Sequence, residues 1–416
     1  MMRELLRIAS TTLPVLVACA TVTPQPLTPL ELERLEARVA QSPADREGVM
    51  RLATAYQESG RTEEARSLLE RAASERSGDL ELALMLAAVR EELGDFAGAR
   101  ALYESYIAEG PSRRTRALLQ RRLLLLERRE MRAEVQRLVR EEQLLAASEP
   151  EAGTVAVYPF LYSGANAELQ PLARALAELL STDLSQTSRL RVLERARVQM
   201  LLDELELAAS GAVDPTTAAR TGRLLRAEHI VQGRLEGQGG GLELQAAVME
   251  VQAARELGVV QEQEALQRLF EAERRLALGI FSALGIQLTQ AEEARVGQTP
   301  TQNLEALLAF GRALEAEDQG DFALAAQYFQ QAAGLDPAFD LAVQRAERAT
   351  LLEQAEQVTV QALTTTALIE AVSLDATALD AFPMPDPGGR DAVLEALQRE
   401  GLATQGTLRI ILSRPN

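Results

Sequence analysis

The chain has 416 residues, of which 4% are aromatic and none is tryptophan, and its 43 basic residues, all arginine, are outnumbered by 61 acidic ones. The formal charge of −18 argues against nucleic acid or anionic lipid headgroups as main ligands, because an acidic surface repels both. The length predicts two to three domains, and the abundance of Ala, Leu, Glu and Arg favours helices.

The N-terminus has the residue order of a secretory signal. Arg3 and Arg7 precede an apolar stretch over residues 13–18 that is too short to span a bilayer. The only cysteine, Cys19, ends a Leu-Val-Ala-Cys run that resembles the bacterial lipobox. The resemblance implies cleavage before Cys19 and acylation of its thiol and amine, so that several acyl chains anchor the protein. Ala20 follows in place of the aspartate that retains lipoproteins at the inner membrane, which implies the periplasmic face of the outer membrane.

Residues 29–110 show self-similarity at a period of 34 residues. The first copy contains Ala53, Gly60, Ala65 and Leu69, and the second contains Ala87, Gly94, Ala99 and Tyr103. This period resembles the tetratricopeptide repeat, in which small residues let paired helices approach and glycine allows the turn between them. Pro111 matches the terminal proline of that family, whereas Arg90 stands where Tyr56 would recur. Two repeats would form a marginal stack.

The segment over residues 113–145 leaves two interpretations open. Ala133 lies 34 residues beyond Ala99, which favours a degenerate third repeat, although Arg128 occupies the glycine position. The alternative is one long amphipathic helix, whose apolar face would contain Leu118, Leu119, Leu123 and Leu126. Either structure would cap the stack.

The middle of the chain, residues 153–287, alternates between short apolar runs and helical patterns. We expect strands at residues 155–160, 190–193 and 230–233, a hairpin turning on residues 239–241, and a further strand near residues 259–260. Helices are expected around residues 172–180, from Asp214-Pro215 onward, and at the end of the segment around residues 266–280. This order of elements predicts an α/β domain.

Four of these pieces, at residues 155–160, 190–195, 214–225 and 230–233, resemble in their order the family of the curli secretion lipoprotein CsgG. That family is similar to the N-terminal domain of TolB. The resemblance implies the fold class α/β plus α, with a CsgG/TolB-N-like α/β domain flanked by α-helical tetratricopeptide repeats. It also implies a periplasmic scaffold that binds other envelope proteins, sometimes as a ring.

The chain departs from the curli channel at the hairpins that this channel inserts into the outer membrane. A membrane strand needs about 9 to 11 alternating residues on each side of its turn and an apolar face toward the lipid. We interpret residues 234–241 as a short glycine turn, and residues 253–264 carry Arg255, Glu256, Glu262 and Glu264. The sequence therefore predicts no pore.

A further repeat is expected at residues 301–350, with Gly311, Gly320, Ala325, Phe329, Ala332 and Pro337. The spacing from Gly320 to Pro337 equals that from Gly94 to Pro111. Residues 407–412 predict a terminal strand that pairs with a sheet edge or with a partner. The expected organisation is a signal peptide (1–18), a lipidated linker (19–28), repeats (29–148), the α/β domain (153–287), a second repeat region (301–350), and a linker with the terminal strand (351–416).

No catalytic constellation is expected from the residues. His229 is the only histidine and stands at the start of an apolar strand, which indicates a structural role. No metal site can be nominated, since Asp203, Glu204 and Glu206 lie on a predicted helix and not in a loop with the ligand spacing of a calcium site. The glycines over residues 237–241 lack the lysine and the helix of a phosphate-binding loop. We therefore predict a non-enzymatic protein without cofactor or metal.

These features lead to the hypothesis of an outer-membrane-anchored periplasmic adaptor that binds envelope proteins and contacts the membrane through its lipid only, with self-association as a further expectation. In tetratricopeptide repeats the first helix of each repeat faces the ligand. By that geometry the protein-binding residues are Glu47, Met50, Thr54, Gln57, Glu81, Leu84, Ala88 and Glu91, for which ordinary solvent exposure is the alternative. The competing hypothesis is a ring-forming CsgG-type secretion channel subunit.

Overall fold

The computed structural model describes residues 27–76, 78–142, 149–205, 215–238, 241–296, 298, 300–358 and 363. The expected lipidation residue Cys19 and the expected terminal strand at residues 407–412 lie outside this part of the chain. The chain divides into two compact units, Met1–Ser77 and Gly78–Asn416. Within the described residues, no helix combines the length and the apolar character needed to cross a bilayer.

The first unit contains three helices joined by tight turns. They are α1 (Pro29–Gln41), α2 (Arg46–Glu58) and α3 (Thr62–Glu75). Thr28 caps α1 through reciprocal hydrogen bonds with Glu31, and the carboxylate of Asp45 accepts from an amide in the first turn of α2. Gly60 has a φ of +73°, which a glycine adopts without strain and which allows the turn into α3.

The second unit begins with another helical pair and a long helix. They are α4 (Leu80–Glu92), α5 (Phe96–Ala108) and α6 (Arg113–Arg140). Gly94, with a φ of +77°, makes the turn between α4 and α5. Ser112 caps α6, which continues for 28 residues because no glycine or proline interrupts it, and which buries Leu119 and Leu126. Of the two interpretations of residues 113–145, the structure therefore shows the single long helix.

Six strands form one mixed sheet. They are β1 (Glu151–Val157), β2 (Leu161–Ser163), β3 (Arg191–Val192), β4 (Ala227–Gln238), β5 (Gly241–Glu250) and β6 (Arg255–Ala265). The order is β3-β1-β4-β5-β6, and β2 pairs with β4. β1 pairs in parallel with β3 and β4, and β2 pairs in parallel with β4, whereas β4, β5 and β6 form an antiparallel meander.

The interpretation of residues 234–241 as a short glycine turn is wrong. β4 continues to Gln238 and stays in register with β5 as far as the pair Gln238 and Gly241. The strand persists because Leu235 is fully buried and because β2 adds a second set of backbone hydrogen bonds on this stretch. The prediction that the protein forms no pore therefore no longer rests on a short turn at residues 234–241. It rests only on the charged side chains of β6.

Helices cover both faces of the sheet. They are α7 (Gln170–Leu184), α8 (Arg195–Glu204), α9 (Pro215–Leu225) and α10 (Leu269–Ala283), with short 3-10 turns at Ala167–Leu169 and Leu266–Arg268. Val155 and Val157 point to α7 and α10, whereas Ala156 and Tyr158 point to α8, α9 and the end of α6. This alternation along β1 produces a three-layer arrangement with a core on each side.

The chain then returns to helical repeats. The helices are α11 (Gln290–Arg295), α12 (Leu304–Gln319), α13 (Phe322–Leu335) and α14 (Asp340–Glu356). The ring centroid of Phe310 lies 5.2 Å from that of Phe329 and 4.8 Å from that of Phe339, which joins the three helices α12 to α14. A Cβ added at Gly311 would lie 2.0 Å from the carbonyl oxygen of Pro171, so only glycine allows α12 to approach α7 this closely.

One expected boundary is corrected by α14. The sequence assigned residues 351–356 to the C-terminal linker, but they continue the helix because Leu352 and Ala355 are fully buried. Helical repeat elements thus lie on both sides of an α/β region in the chain, and the predicted fold class of α/β plus α is confirmed.

Candidate protein-binding site

The first set of expected ligand-facing residues lies on α2. Glu47 and Thr54 are exposed and Gln57 is half-buried, whereas Met50 is only 8% exposed. The hydroxyl of Thr54 donates to the backbone oxygen of Met50 at 3.0 Å. This helix therefore presents three polar side chains to solvent, with a buried methionine between them.

The second set lies on α4 and has a different environment. All four of its residues are buried: Glu81, Leu84, Ala88 and Glu91 have exposed fractions of 5%, 1%, 8% and 6%. The expectation that these side chains are accessible to a ligand is wrong for the folded chain. Their positions in the repeat correspond to those of the α2 set, so a difference in the surroundings of α4 explains the burial.

Glu91 is the centre of a polar cluster, which we call the Glu91 cluster and define as Glu91, Tyr103, Arg122 and Arg129. The first three are buried, whereas Arg129 is exposed at the edge of the cluster. The carboxylate accepts from Arg122 at 2.8 and 2.9 Å, from Arg129 at 3.1 Å, and from the hydroxyl of Tyr103 at 2.7 Å. Burial, and then the negative charge of Glu91, raises the pKa of Tyr103. The carboxylate of Glu91 is therefore fully engaged inside the protein and has no free side toward a ligand.

The long helix α6 and the end of the described C-terminal region fill the space beside α4. Leu84 belongs to an apolar cluster with Leu119 and Leu126 of α6, and Val358 and Leu363 belong to the same cluster. Arg122 also donates to the backbone oxygen of Val358 at 3.1 Å. The face of α4 that would be a groove in a tetratricopeptide stack is thus occupied by the chain itself.

A second buried polar cluster joins the C-terminal repeat to the α/β region. We call it the Arg195 cluster and define it as Arg195, Arg174, Arg345, Glu178, Glu317 and Asp318. Arg195, the first residue of α8, donates to Glu317 of α12 at 2.5 Å, is hydrogen-bonded to Asp318, and lies 3.4 Å from Glu178 of α7. Arg174 and Arg345 pair with the same carboxylates from α7 and α14.

Within the Arg195 cluster, Arg195 and the carboxylate of Glu317 stabilise each other's charged forms. Burial opposes the charge of Arg195, but the carboxylates of Asp318, Glu317 and Glu178 outweigh it and raise the pKa of the guanidinium. Burial likewise acts to raise the pKa of Glu317, but the guanidinium groups of Arg195 and Arg345 outweigh it and hold that pKa below its ordinary value. Arg195 and Glu317 therefore remain charged inside the protein. The ion pairs of Glu317 with Arg195 and Arg345 link α8, α12 and α14.

The residues considered for chemistry are not brought together. His229 lies on β4, burial lowers the pKa of its imidazole, and Nδ1 is 3.8 Å from a carboxylate oxygen of Glu228. Asp203 accepts a hydrogen bond from Gln199 within α8, and that helix ends at Glu204. Among the described residues, no three His, Cys, Asp or Glu side chains are grouped so that they could hold a metal ion.

One feature of the sequence indicates the Glu91 cluster, although it is not part of the repeat pattern. Arg122 lies three residues after Leu119 and four before Leu126, so it is on the apolar face of α6. An arginine at such a position is desolvated and needs a carboxylate partner. That reasoning predicts a buried ion pair, although the identity of Glu91 as the partner depends on the packing of α4 against α5 and α6.

Comparison with known families supports the assignment of the regions. Residues 150–239 match the family described as curli production assembly/transport component CsgG. Residues 56–123 and 305–339 match tetratricopeptide repeat families. No curated protein matches the chain.

Solved structures of LpoB show a distant likeness. The C-terminal domains of LpoB from Salmonella enterica and from Escherichia coli are each 17% identical over 32% of this chain and 95% of the domain, with a TM-score of 0.24. The solution structure of E. coli LpoB is 13% identical over 30% of this chain and 63% of its own length, also with a TM-score of 0.24. Similarity at this level supports no conclusion about activity. The family matches show that the chain combines a CsgG-type region with tetratricopeptide repeats on both sides.

Proposed function

We propose that the protein is a non-catalytic adaptor on the periplasmic face of the outer membrane, anchored by lipid at Cys19 and binding other envelope proteins. The observation that supports this function best is that tetratricopeptide matches precede and follow the CsgG match in one chain. Repeats of this type stack into extended surfaces that bind protein segments. The CsgG-type region provides a folded body between two such elements.

The surface that we propose for partner binding is the exposed side of α2, formed by Glu47, Thr54 and Gln57. Met50 lies beneath this surface and is not part of it, because it is almost completely buried. The residues of α4 are left out of this surface because the chain covers them. A partner of this face would make polar contacts, since the three side chains offer a carboxylate, a hydroxyl and an amide.

The experiment that tests the adaptor is crosslinking in intact envelopes followed by purification of the full-length protein. We expect a discrete envelope protein to be captured, and we expect the double variant Glu47→Arg with Thr54→Arg to capture about tenfold less. Glu75→Arg is the matched control, because Glu75 is an exposed glutamate on a different helix, α3, and is not one of the three residues of the α2 surface. Recovery of an uncrosslinked monomer, or equal capture by the double variant, would contradict the proposal.

The lipid anchor has its own test. In the proposed arrangement Cys19→Ser removes the only acylated residue, and we expect the variant to fractionate with the soluble periplasm. Persistent membrane association of the variant would show a second mode of attachment. Light scattering of the purified protein tests the competing ring hypothesis, because the mass of a ring is a multiple of the monomer mass.

A further inference from the structure

A cleft of about 240 Å³ lies where α6, α8 and the end of α12 meet in the second unit. We call it the α6–α8 cleft. The lining side chains relevant here are Arg128, Arg132, Arg195, Gln199, Asp203 and Asp318. The volume is below the range of about 300–1,000 Å³ typical of small-molecule pockets, so the cleft is suited to one side chain with its adjoining backbone.

The arginines of this cleft are not equally neutralised. Arg195 is paired with Glu317 and Asp318. Arg128, by contrast, has its guanidinium over the ring of Phe322, 4.7 Å from the centroid, and within the described residues it forms no hydrogen bond or ion pair. Arg132, one helical turn further along α6, is exposed at the opening of the cleft.

Arg128 is half-buried, so its charge is only partly hydrated. Burial lowers its pKa, and although Glu317 acts in the opposite direction, the neighbouring charges of Arg195 and Arg132 lower it further. A cation–π contact compensates for part of the lost hydration, but a carboxylate would compensate for more of it. Arg128 is therefore a lining cation whose charge no ion pair in the described part of the chain balances.

A second, independent feature lies in the lining of the same cleft. The side chain of Gln199 is 5% exposed, and its Nε2 donates to Asp203 at 2.7 Å. That hydrogen bond fixes the orientation of the amide, and its Oε1 is buried without a hydrogen-bond partner in the described part of the chain. A buried acceptor of this kind is destabilising unless a donor reaches it.

We propose that the α6–α8 cleft binds an acidic peptide segment, with one carboxylate between Arg128 and Arg132 and a neighbouring backbone N–H donated to Gln199. The site is separate from the proposed α2 surface and does not depend on it. The carboxylates that line the cleft set its selectivity: Asp318 is engaged by arginine, while Asp203 and Glu204 are exposed at the rim. Rim carboxylates repel a dianion more than a single carboxylate, so phosphate is disfavoured.

The test is calorimetric titration of the full-length protein with acetyl-Gly-Glu-Gly-amide and with the matching Gln peptide. We expect saturable binding of the Glu peptide, and binding about tenfold weaker for the Gln peptide and for each of the variants Arg128→Gln and Arg132→Gln. Arg137→Gln is the matched control, because Arg137 is an exposed arginine of α6 that does not line the cleft, and we expect it to bind normally. Arg132 is exposed, so its replacement leaves the fold intact even if that of Arg128 does not.

Sodium acetate and inorganic phosphate distinguish a peptide from a free anion. We expect both to bind more weakly than the Glu peptide, and we expect Gln199→Leu to weaken the peptide but not acetate. Peptide binding that is unchanged in Arg132→Gln, or equal binding of the Glu and Gln peptides, would overturn the proposal. Acetate or phosphate binding as tight as that of the peptide would do so too, since the N–H contact would then contribute nothing.

Discussion

Helices α2 and α4 occupy corresponding positions in two repeats, yet one exposes its ligand-facing side and the other buries it. Thr54 is exposed, while Ala88, 34 residues later, is 8% exposed. The difference lies in what covers α4, namely α6 and the chain around Val358. A repeat motif thus identifies helices and turns, but whether its inner face is available depends on segments outside the motif.

The largest difference in stability between variants of the two helices is expected when a carboxylate is removed from each helix. Glu91→Leu leaves Arg122 desolvated without its carboxylate partner, so we expect the free energy of unfolding to fall by about 3–5 kcal/mol. The same change at the exposed Glu47 of α2 should alter it by no more than about 0.5 kcal/mol. Urea denaturation of both variants measures this, and equal small effects would show that the Glu91 cluster contributes little.

The Arg195 cluster extends the comparison to the C-terminal repeat. Arg195→Met leaves Glu317 and Asp318 buried without their central cation, and we expect a loss of about 3–5 kcal/mol. Arg197→Met is the control on the same helix, because Arg197 pairs with Glu134 at a half-exposed position and should cost less than about 1 kcal/mol. A thermal melt that ranks the two variants in the opposite order would contradict the role assigned to Arg195.

A smaller effect is expected from the close approach of α12 to α7. Gly311→Ala places a methyl group against the carbonyl of Pro171 and should destabilise the protein by about 1–3 kcal/mol. Gly334→Ala, in α13, meets open space and should stabilise its helix by about 0.5–1 kcal/mol. Denaturant titrations that gave both changes the same sign would show that α12 does not need this contact.

The smallest effect concerns a buried carboxylate that has no ion pair with any residue the structure describes. Burial, and then the charge of Asp183, raises the pKa of Glu273 on α10 well above its ordinary value. Protonated Glu273 therefore contributes stability at acidic pH, and this contribution is lost as the pH rises through the folded-state pKa. Glu273→Gln keeps the neutral form at every pH.

We accordingly expect Glu273→Gln to match the wild type at about pH 4 and to exceed its stability by about 1 kcal/mol at about pH 8. Glu271→Gln, at an exposed position of the same helix, should show no such dependence. Melting temperatures across this range measure both variants. A Gln variant that lost stability at alkaline pH as the wild type does would place the titrating group elsewhere.

The sequence predicts much of the fold because its signals are local. Gly60 and Gly94 adopt the positive φ that the repeat turn requires, and the apolar stripe of α6 is visible in its leucines. The CsgG-type and tetratricopeptide regions were likewise identified from short motifs, and the family matches confirm them. Local patterns suffice wherever hydrogen bonding and side-chain spacing operate within a few residues.

The rest depends on contacts that are distant in the chain. Arg122 donates to Val358, 236 residues away, and no periodicity in the sequence indicates this contact. The extension of β4 to Gln238 was missed because its glycines suggested a turn, whereas pairing with β2 and β5 maintains the strand. The burial of the α4 set follows from such contacts, which is why the ligand-facing geometry could not be read from the repeat alone.

The adaptor account is tested most directly by site-specific photocrosslinking in living cells. A photoreactive amino acid replaces either Thr54 on α2 or Ala88 at the corresponding position on α4 of the full-length protein. The account predicts a discrete crosslink to an envelope protein from position 54 and none from position 88. A crosslink from position 88 together with none from position 54 would contradict it.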